Sequence, residues 1–389
     1  MKENDILTRK PEESELDFKK RIYSYKESCG FTWEDVAEII NNELDCDYSE
    51  SKYRKEASKL LDEIVKDNSM DELNETLLAI KKEKVKVTDE RIQANSIIRQ
   101  LAREEVFKDI AISAVKDMSK KKILNTPKEI VVKEYKKKGI LCLGDWHYGL
   151  DVDLFFNKYN PEIAVERVNN LLMKVYEIID EHKLDELIVL NLGDMISGRI
   201  HLPLRLNSRI DVVTQTIKVS EILAELLSSL SEKVRVVYTS VEDNHSRIEP
   251  NKRESLQTES FSRIIDWYLM ERLKRNPNVE FLKNLVGPDI SIFRVFDFSV
   301  AAVHGDKDPQ RGIVDRLNSY LQGHLDMVIS AHMHHFSADE NNNTEFYCNG
   351  SLIGQDQYAS DLRLNSKPSQ LLFISTPENV SEVLYKIKL

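Results

Sequence analysis

The amino-acid sequence predicts an α/β domain preceded by an all-α N-terminal region. From about residue 139 onward, short apolar segments alternate with helical ones, as expected for a buried sheet between helices. Before residue 139, apolar residues recur at spacings of three and four, which is typical of amphipathic helices. The length of 389 residues exceeds what a single typical core requires, so we expect more than one domain.

The composition is that of a globular protein in water. Apolar residues make up 41% of the chain and charged residues 31%. No apolar run reaches the roughly 18–20 residues of a membrane-spanning helix, so no membrane partner is expected. Residues 1–15 lack the apolar segment of a secretion signal, and the four cysteines form no CxxC pair. These features predict a reduced, cytoplasmic protein without a disulfide framework or zinc ribbon.

The formal net charge of −11 argues against a protein that coats nucleic acid. For an enzyme this is weak evidence, because bound divalent cations offset carboxylates at the site itself. One stretch has the opposite charge: residues 116–138 hold nine lysines against three acidic residues. This stretch is either a solvated linker or a nucleic-acid contact.

Residues 1–66 are expected to be helical. Thr32 is a candidate N-cap, Asp35 stands at the capping-box position, and the apolar face of the helix comprises Val36, Ile39 and Ile40. A polar turn separates this helix from a second one that opens at residues 49–55 and carries Lys52, Arg54 and Lys55. The pair resembles a DNA-binding helix-turn-helix, but a small helical bundle gives the same pattern, so both interpretations stand.

Residues 67–138 are expected to form long amphipathic helices followed by a basic linker. The segment 70–118 contains neither Gly nor Pro, and its apolar residues recur at helical spacing. Such helices would either form a coiled coil that makes a homodimer or pack on the domain that follows. Pro127 marks the linker.

Five predicted strands within residues 139–389 end in Asp, Asn or His, where a rigid sheet commonly presents metal ligands and catalytic groups. In chain order these ends read Gly144-Asp145-Trp146-His147, Gly193-Asp194, Glu242-Asp243-Asn244-His245, His304-Gly305-Asp306 and Ala331-His332-Met333-His334. Any one of these segments, taken alone, is typical of an ordinary turn. Together they contain five of the nine histidines in the chain, which favours a metal site over coincidence.

The ordered series DxH, GD, NH, H and HxH resembles the calcineurin-like metallophosphoesterase family, and is closest in character to its phage and repair-exonuclease members. The resemblance covers residues 139–389 and implies a sandwich of two central mixed β-sheets flanked by helices. Asp243 and Ala331 stand where the family usually has glycine. Both are turn positions, so these departures bear on loop geometry more than on metal binding.

Carried over residue by residue, the resemblance implies a site for two divalent ions. The first ion would be held by Asp145, His147 and His334. The second would be held by Asn244, His304 and His332. Asp194 would bridge both ions, and His245 would be a non-ligating general acid that protonates the leaving oxygen.

These residue types suit that chemistry. Two neighbouring divalent ions need a shared anionic ligand, and they lower the pKa of a bridging water so that hydroxide forms near neutral pH. Mixed imidazole and oxygen ligands suit manganese, with iron, zinc or magnesium as alternatives, better than calcium. An imidazole, with an ordinary pKa of about 6.5, suits the general acid.

Three interpretations of the function remain open. A DNA phosphodiesterase, that is a nuclease, is favoured by the helix-turn-helix pattern and the basic linker. A phosphatase or phosphodiesterase for small nucleotides or phosphoproteins is favoured by the acidic charge. A DNA-binding or assembly protein with a structural metal site is disfavoured by the complete ligand set. The candidates for holding the substrate phosphate are His201, Arg205 and Arg209, and the alternative is an ordinary surface loop.

Overall fold

The structure is a computed structural model that describes residues 7–64, 77–95, 124, 126–200 and 202–389. The chain divides into two compact units, residues 1–103 and 104–389. Most of the predicted long-helix segment, most of the lysine-rich residues 116–125, and His201 lie outside the described residues. The boundaries after residues 66 and 138 stay predictions.

Among the described residues of the first unit, three helices pack around one core. They are α1 (Glu15–Cys29), α2 (Trp33–Leu44) and α3 (Glu50–Ile64). The buried core comprises Phe18, Ile22, Val36, Ala37, Ile40 and Tyr53. The predicted capping box is confirmed: Thr32 Oγ1 accepts from the Asp35 N–H at 3.1 Å, and Asp35 Oδ2 accepts from the Thr32 N–H at 2.7 Å. Helix α1 lies within the region predicted to be helical, but no sequence signal singled it out, because its buried residues are few among many charges.

The predicted helicity of the segment after α3 is confirmed for residues 77–95, the described part of helix α4. Side chains 78–95 are exposed, including apolar ones such as Ile80 and Ile92. The coiled coil and the homodimer stay predictions.

The second unit contains two large mixed sheets and a small hairpin. The larger sheet comprises β1 (Lys138–Leu143), β4 (Glu186–Asn191), β5 (Arg235–Ser240), β6 (Val279–Phe281), β12 (Ser369–Ser375) and β13 (Val383–Lys388), in the order β13-β12-β1-β4-β5-β6. The smaller sheet comprises β7 (Ile290–Val295), β8 (Phe298–Val303), β9 (Met327–Ser330), β10 (Ser337–Asn341) and β11 (Thr344–Cys348), in the order β10-β11-β9-β8-β7. The hairpin comprises β2 (Val152–Asp153) and β3 (Lys158–Tyr159).

The described part of this unit contains six helices. They are α5 (Pro161–His182), α6 (Leu202–Leu206), α7 (Val212–Leu230), α8 (Phe261–Leu273), α9 (Ile313–Leu321) and α10 (Gln357–Asp361). At the start of α5, Asn160 Oδ1 accepts from the Ile163 N–H at 2.8 Å, and Pro161 takes the first helical position. Within the described ranges, no helix combines the length and apolar character needed to cross a membrane.

The two sheets share one hydrophobic core. A single buried cluster combines Ile140 and Leu190 of the larger sheet with Val300 and Ile329 of the smaller one. The opposite face of the larger sheet packs on α5, α7 and α8, and that of the smaller sheet packs on α9. The predicted mixed α/β fold with an all-α N-terminal region is therefore confirmed, with helices outside the sheets.

The strand directions bring the predicted site residues to one place. Strands β1, β4 and β5 are parallel neighbours, as are β8 and β9. Parallel neighbours end at the same edge of a sheet, so the loops that follow these five strands lie close together.

Candidate metal centre

Several predicted ligands have a strained backbone. Left-handed φ angles occur at Asp145 (51°), His147 (45°), Asp194 (51°), His332 (68°) and His334 (57°). For residues with a Cβ atom, this conformation costs about 1–2 kcal/mol each. Such strain persists only where the surroundings enforce it, and its concentration in three loops indicates a functional site.

The first group of candidate ligands comprises Asp145, His147, Asp194 and His334, whose ligand atoms all lie within 4.8 Å of one another. The two imidazole Nε2 atoms of His147 and His334 are 2.9 Å apart. His334 Nε2 is also 3.8 Å from Asp145 Oδ1. The structure thus brings together the three residues predicted for the first ion and the predicted bridge.

The second group comprises Asp194, His304 and His332. His304 Nε2 lies 3.2 Å from Asp194 Oδ2 and 3.2 Å from His332 Nδ1. Asn244 Oδ1 lies 3.0 Å from the same His304 nitrogen. Asp194 belongs to both groups, in the position predicted for the bridge, while metal binding by these residues stays a prediction.

Buried polar atoms in the cluster lack partners. Within the described part of the chain, Asp145 Oδ1 and His147 Nδ1 accept or donate no hydrogen bond. A buried polar atom without a partner costs about 1–3 kcal/mol, and more when the group is charged. A cation would remove that cost, and a donor set of imidazole nitrogen and carboxylate oxygen suits a divalent transition metal. The residues therefore fit a metal centre.

The two buried carboxyl groups have opposite pKa shifts. Burial, reinforced by the charge of Asp194, raises the pKa of Asp145 well above its usual range. Burial acts in the same direction on Asp194, but His245 and His304 outweigh it and hold the pKa of Asp194 well below its usual range. Burial would lower the pKa of His304, yet Asp194 raises it to about 10. Asp194 thus remains charged and attracts a cation.

Two histidines of the first group are kept neutral. Burial lowers the pKa of His147 well below its usual value and that of His334 to about 4. A neutral imidazole has a free lone pair, which metal binding requires.

His245 lies beside the cluster and outside both ligand groups. Its Nδ1 atom is 2.8 Å from the carbonyl oxygen of Ser197, and its Nε2 atom is 3.8 Å from Asp194 Oδ2. Gly198 makes this approach possible: its φ is 69°, and a Cβ atom there would lie 2.0 Å from the His245 carbonyl oxygen. Sequence analysis missed Ser197 and Gly198, since only the fold brings them to His245.

Asn191, at the end of β4, holds the turn before Asp194. Its Oδ1 accepts from the Gly193 N–H at 3.0 Å, and its Nδ2 donates to Tyr238 Oη at 2.9 Å. The Tyr238 hydroxyl donates to Asp266 at 3.0 Å. An Asn two residues before a glycine is a turn signal that the sequence analysis did not use.

Asp243, one of the two departures from the family pattern, is buried. Its carboxylate accepts from the Ser246 N–H at 2.6 Å and from the Ser246 hydroxyl at 2.8 Å. Gly193 makes room for it, because a Cβ atom at Gly193 would lie 2.5 Å from the Asp243 Cβ atom. The larger residue at position 243 is therefore matched by a glycine on the neighbouring loop.

Of the residues predicted to hold the substrate phosphate, the structure describes Arg205 and Arg209, and their role stays a prediction. Arg205 is exposed on α6, and Arg209 Nε donates to Asp151 Oδ2 at 2.6 Å. Arg247, which sequence analysis missed, lies closer to the ligands: its Nε donates to the Asn244 carbonyl at 3.0 Å. It lines a cleft of about 140 Å³ together with Asn244 and Lys252. A basic residue just after an Asn-His pair was the available signal.

Comparison with known proteins finds relatives of both units. The family described as the YonJ N-terminal domain matches residues 3–64. The SPbeta prophage-derived uncharacterized protein YonJ of Bacillus subtilis (strain 168) is 27% identical over 390 residues, covering 94% of each chain.

Two solved structures are similar in fold to part of this chain. An archaeal phosphodiesterase is 14% identical with a TM-score of 0.34, covering 64% of this chain and 99% of its own. Vacuolar Protein Sorting 29 from Cryptosporidium parvum is 13% identical with a TM-score of 0.33, covering 65% of this chain and 100% of its own. At these TM-scores, neither likeness bears on what this chain does.

Proposed function

We propose that this chain is a dinuclear metal-dependent phosphoester hydrolase whose preferred substrate is a phosphodiester of DNA. The observation that carries the proposal is the position of Asp194 in both groups of candidate ligands. A carboxylate shared by two divalent ions about 3.5–4 Å apart suits in-line displacement at phosphorus, because both the attacking and the leaving oxygen are stabilised. Manganese is the first ion to test, given the mixed nitrogen and oxygen ligands.

In this proposal one ion would be held by Asp145, His147 and His334. The other would be held by Asn244, His304 and His332, and Asp194 would be the ligand shared by both. When bound, the ions lower the pKa of a water and stabilise charge on the phosphate oxygens. The protein orients its ligands: His304 Nδ1 donates to the Leu192 carbonyl at 2.7 Å, which turns Nε2 toward Asn244 and Asp194.

His245 is assigned to the proton transfer. The Ser197 carbonyl can only accept, so Nδ1 of His245 carries a hydrogen and Nε2 faces the cluster. When the ring is protonated to imidazolium, Nε2 also carries a proton, and that proton can pass to the leaving oxygen. A deoxyribose alkoxide is a poor leaving group, so its protonation during bond cleavage lowers the barrier.

Arg247 and Lys252 are assigned to the substrate phosphate. Both line the cleft that contains Asn244, and the bond from Arg247 to the Asn244 carbonyl fixes the guanidinium beside the cluster. A guanidinium binds phosphate oxygens through directed N–H groups, and an ammonium does so as a point charge.

A surface of the first unit supports DNA as the substrate. The face of α3 opposite its buried Tyr53 presents Lys52, Lys55 and Lys59, all exposed. Charge of this kind on one helix face complements the phosphates of duplex DNA. A phosphatase or phosphodiesterase for small nucleotides or phosphoproteins is the second candidate, favoured by the small volume of the Arg247 cleft and the net charge of −11.

The test is a substrate panel with metal analysis. The full chain is stripped with EDTA, reloaded with manganese, and given single-stranded DNA, duplex DNA, cyclic nucleotides, a phosphopeptide and bis(p-nitrophenyl) phosphate. We expect close to two manganese ions per chain, and hydrolysis of DNA and of the chromogenic diester only after reloading. Hydrolysis of the small substrates without DNA cleavage would select the second candidate. Stoichiometric metal without any hydrolysis would indicate a structural site.

A further inference from the structure

Two aromatic side chains are exposed at the tip of the β2–β3 hairpin. Phe155 is 93% exposed and Phe156 is 70% exposed, and their rings meet edge to face with centroids 4.8 Å apart. Scattered apolar side chains on a surface are ordinary, but two adjacent phenylalanines that are mostly exposed among the described residues indicate a contact site.

The base of this hairpin is rigidly held. The Leu154 N–H donates to the Asn157 carbonyl at 2.9 Å and closes the turn. The buried Asn157 amide donates to the carbonyls of Ile353 at 2.7 Å and Gln355 at 2.6 Å, and its oxygen accepts from Arg167 at 2.9 Å. Because both the nitrogen and the oxygen of this buried amide are hydrogen-bonded, the base of the hairpin is fixed, and the two rings have a defined position.

The loop at 352–355, whose carbonyls accept the bonds from Asn157, also contacts the candidate metal centre. The N–H groups of Leu352 and Ile353 lie 3.1 and 3.3 Å from the Asp145 carbonyl and donate to it. The loop at 352–355 therefore bonds both to a candidate ligand residue and to the base of the hairpin. The aromatic tip is held at a fixed position relative to the cluster.

We propose that Phe155 and Phe156 form a stacking platform for unpaired bases of the DNA strand whose phosphodiester is cleaved at the cluster. This inference rests on the proposed function. Phenyl faces stack on any base, so the platform would bind single-stranded or frayed DNA without sequence preference. The hairpin borders a cleft of about 570 Å³, which is within the range of a ligand pocket, and its lining includes Asp151, Asp153, Lys158, Leu206 and Arg209.

The surroundings favour a base over a second copy of the chain. A stable dimer buries about 800 Å² per partner, and one phenylalanine offers roughly 150–250 Å². Even with the neighbouring exposed Leu206, the apolar area is too small. Each strand of the hairpin carries a charged residue, and these two residues, Asp153 and Lys158, form an ion pair at 3.3 Å.

The experiment compares three double variants of the full chain. F155A/F156A removes the rings, F155L/F156L keeps apolar area without a flat face, and F155Y/F156Y keeps the face. L285A is the matched control, because Leu285 is also 93% exposed. Fluorescence anisotropy in EDTA gives the Kd for single-stranded DNA, and manganese-loaded protein gives kcat and KM for that DNA and for bis(p-nitrophenyl) phosphate.

We expect the alanine and leucine double variants to bind single-stranded DNA about ten-fold or more weakly, and to raise KM for DNA in the same proportion. The tyrosine variant and L285A should match the wild type, and hydrolysis of the chromogenic diester should be unchanged throughout. Wild-type affinity in F155A/F156A or F155L/F156L overturns the platform, as does a wild-type chain that does not bind single-stranded DNA. A dimer that only F155A/F156A dissociates in sedimentation analysis overturns it in favour of self-association. Failure of the wild type to hydrolyse the diester is a separate result that counts against the proposed function.

Discussion

His245 Nδ1 lies 2.8 Å from the carbonyl oxygen of Ser197, a contact that joins the loop after β5 to the loop after β4. It directs Nε2 toward Asp194, 3.8 Å away. The orientation of the assigned proton donor therefore depends on the backbone of a loop that carries a candidate metal ligand.

Replacing His245 by alanine should separate proton transfer from metal binding. His245→Ala should keep the wild-type metal content, because His245 lies outside both ligand groups. Turnover on DNA should fall by about 10²–10⁴, and bis(p-nitrophenyl) phosphate should be partly spared, because nitrophenolate leaves without protonation. The measurements are metal content and kcat on both substrates, with the exposed neighbour His335→Ala as control. Metal loss, or equal slowing on both substrates, would contradict the proton-donor role.

Adding one methyl group at Gly198 should displace His245. Gly198 has a φ of 69°, and a Cβ atom there would meet the His245 carbonyl at 2.0 Å. Gly198→Ala should therefore lower kcat on DNA by about ten-fold or more, with the same leaving-group dependence as His245→Ala. Gly312→Ala is the matched control, since Gly312 has a φ of 87° and nothing within 4 Å. Equal kinetics in the two glycine variants would show that the His245 contact is unimportant.

Removing the charge of Asp194 should weaken both metal sites together. Asp194→Asn keeps the shape of the side chain but loses the negative charge that both ligand groups share. Manganese affinity measured by calorimetry should fall by about 100-fold or more for both ions, and activity should fall with it. Asp306→Asn, which follows His304 but belongs to neither group, is the control. If Asp194→Asn lost only one ion, the assignment of Asp194 as a ligand of both ions would be wrong.

Asp266 should make the stability of the chain depend on pH. Burial raises the pKa of this carboxyl to about 6, against hydrogen bonds donated by Ser240 and Tyr238. The unfolded chain has a pKa of about 3.9 at this residue, so the native state binds the extra proton between these values. The stability contributed by Asp266 is therefore fully present below about pH 4 and falls until about pH 6.

Asp266→Asn removes this dependence. The free energy of unfolding of the variant, relative to wild type, should rise by about 1–3 kcal/mol between pH 4 and pH 7. Urea denaturation in EDTA at the two pH values measures it, with the exposed Asp297→Asn as control. A difference that does not change with pH would refute the assigned shift.

The lysine face of α3 should bind duplex DNA. K52Q/K55Q/K59Q should weaken duplex binding by about ten-fold or more, and should lower the slope of log K against log salt by roughly 0.9 for each lost phosphate contact. K81Q/K82Q/K84Q removes the same charge from exposed positions of α4 and is the control. Anisotropy at several salt concentrations gives both quantities. Equal losses in the two triple variants would indicate a general charge effect, and no loss in either would exclude this face.

Much of the site was predictable because its signals are local. Strand-end residues such as Asp145, Asp194 and His304 follow apolar runs directly, and parallel strands bring their ends to one edge whatever lies between them. The capping box of Thr32 and Asp35 spans one helical turn and was equally readable. The ion pair of Arg209 with Asp151 was not predictable, because the two residues are 58 positions apart in the chain.

The sequence by itself determined the alternation of strands and helices after residue 139, the candidate ligand set and the start of α2, because hydrophobic periodicity and capping act over a few residues. Only the tertiary structure decided the contacts between loops. His245 meets Ser197 and Gly193 faces Asp243 because the ends of β4 and β5 lie side by side, and Asn157 joins the hairpin to the loop at 352–355. Such contacts depend on the packing of segments far apart in the chain, and no local pattern records which segments become neighbours.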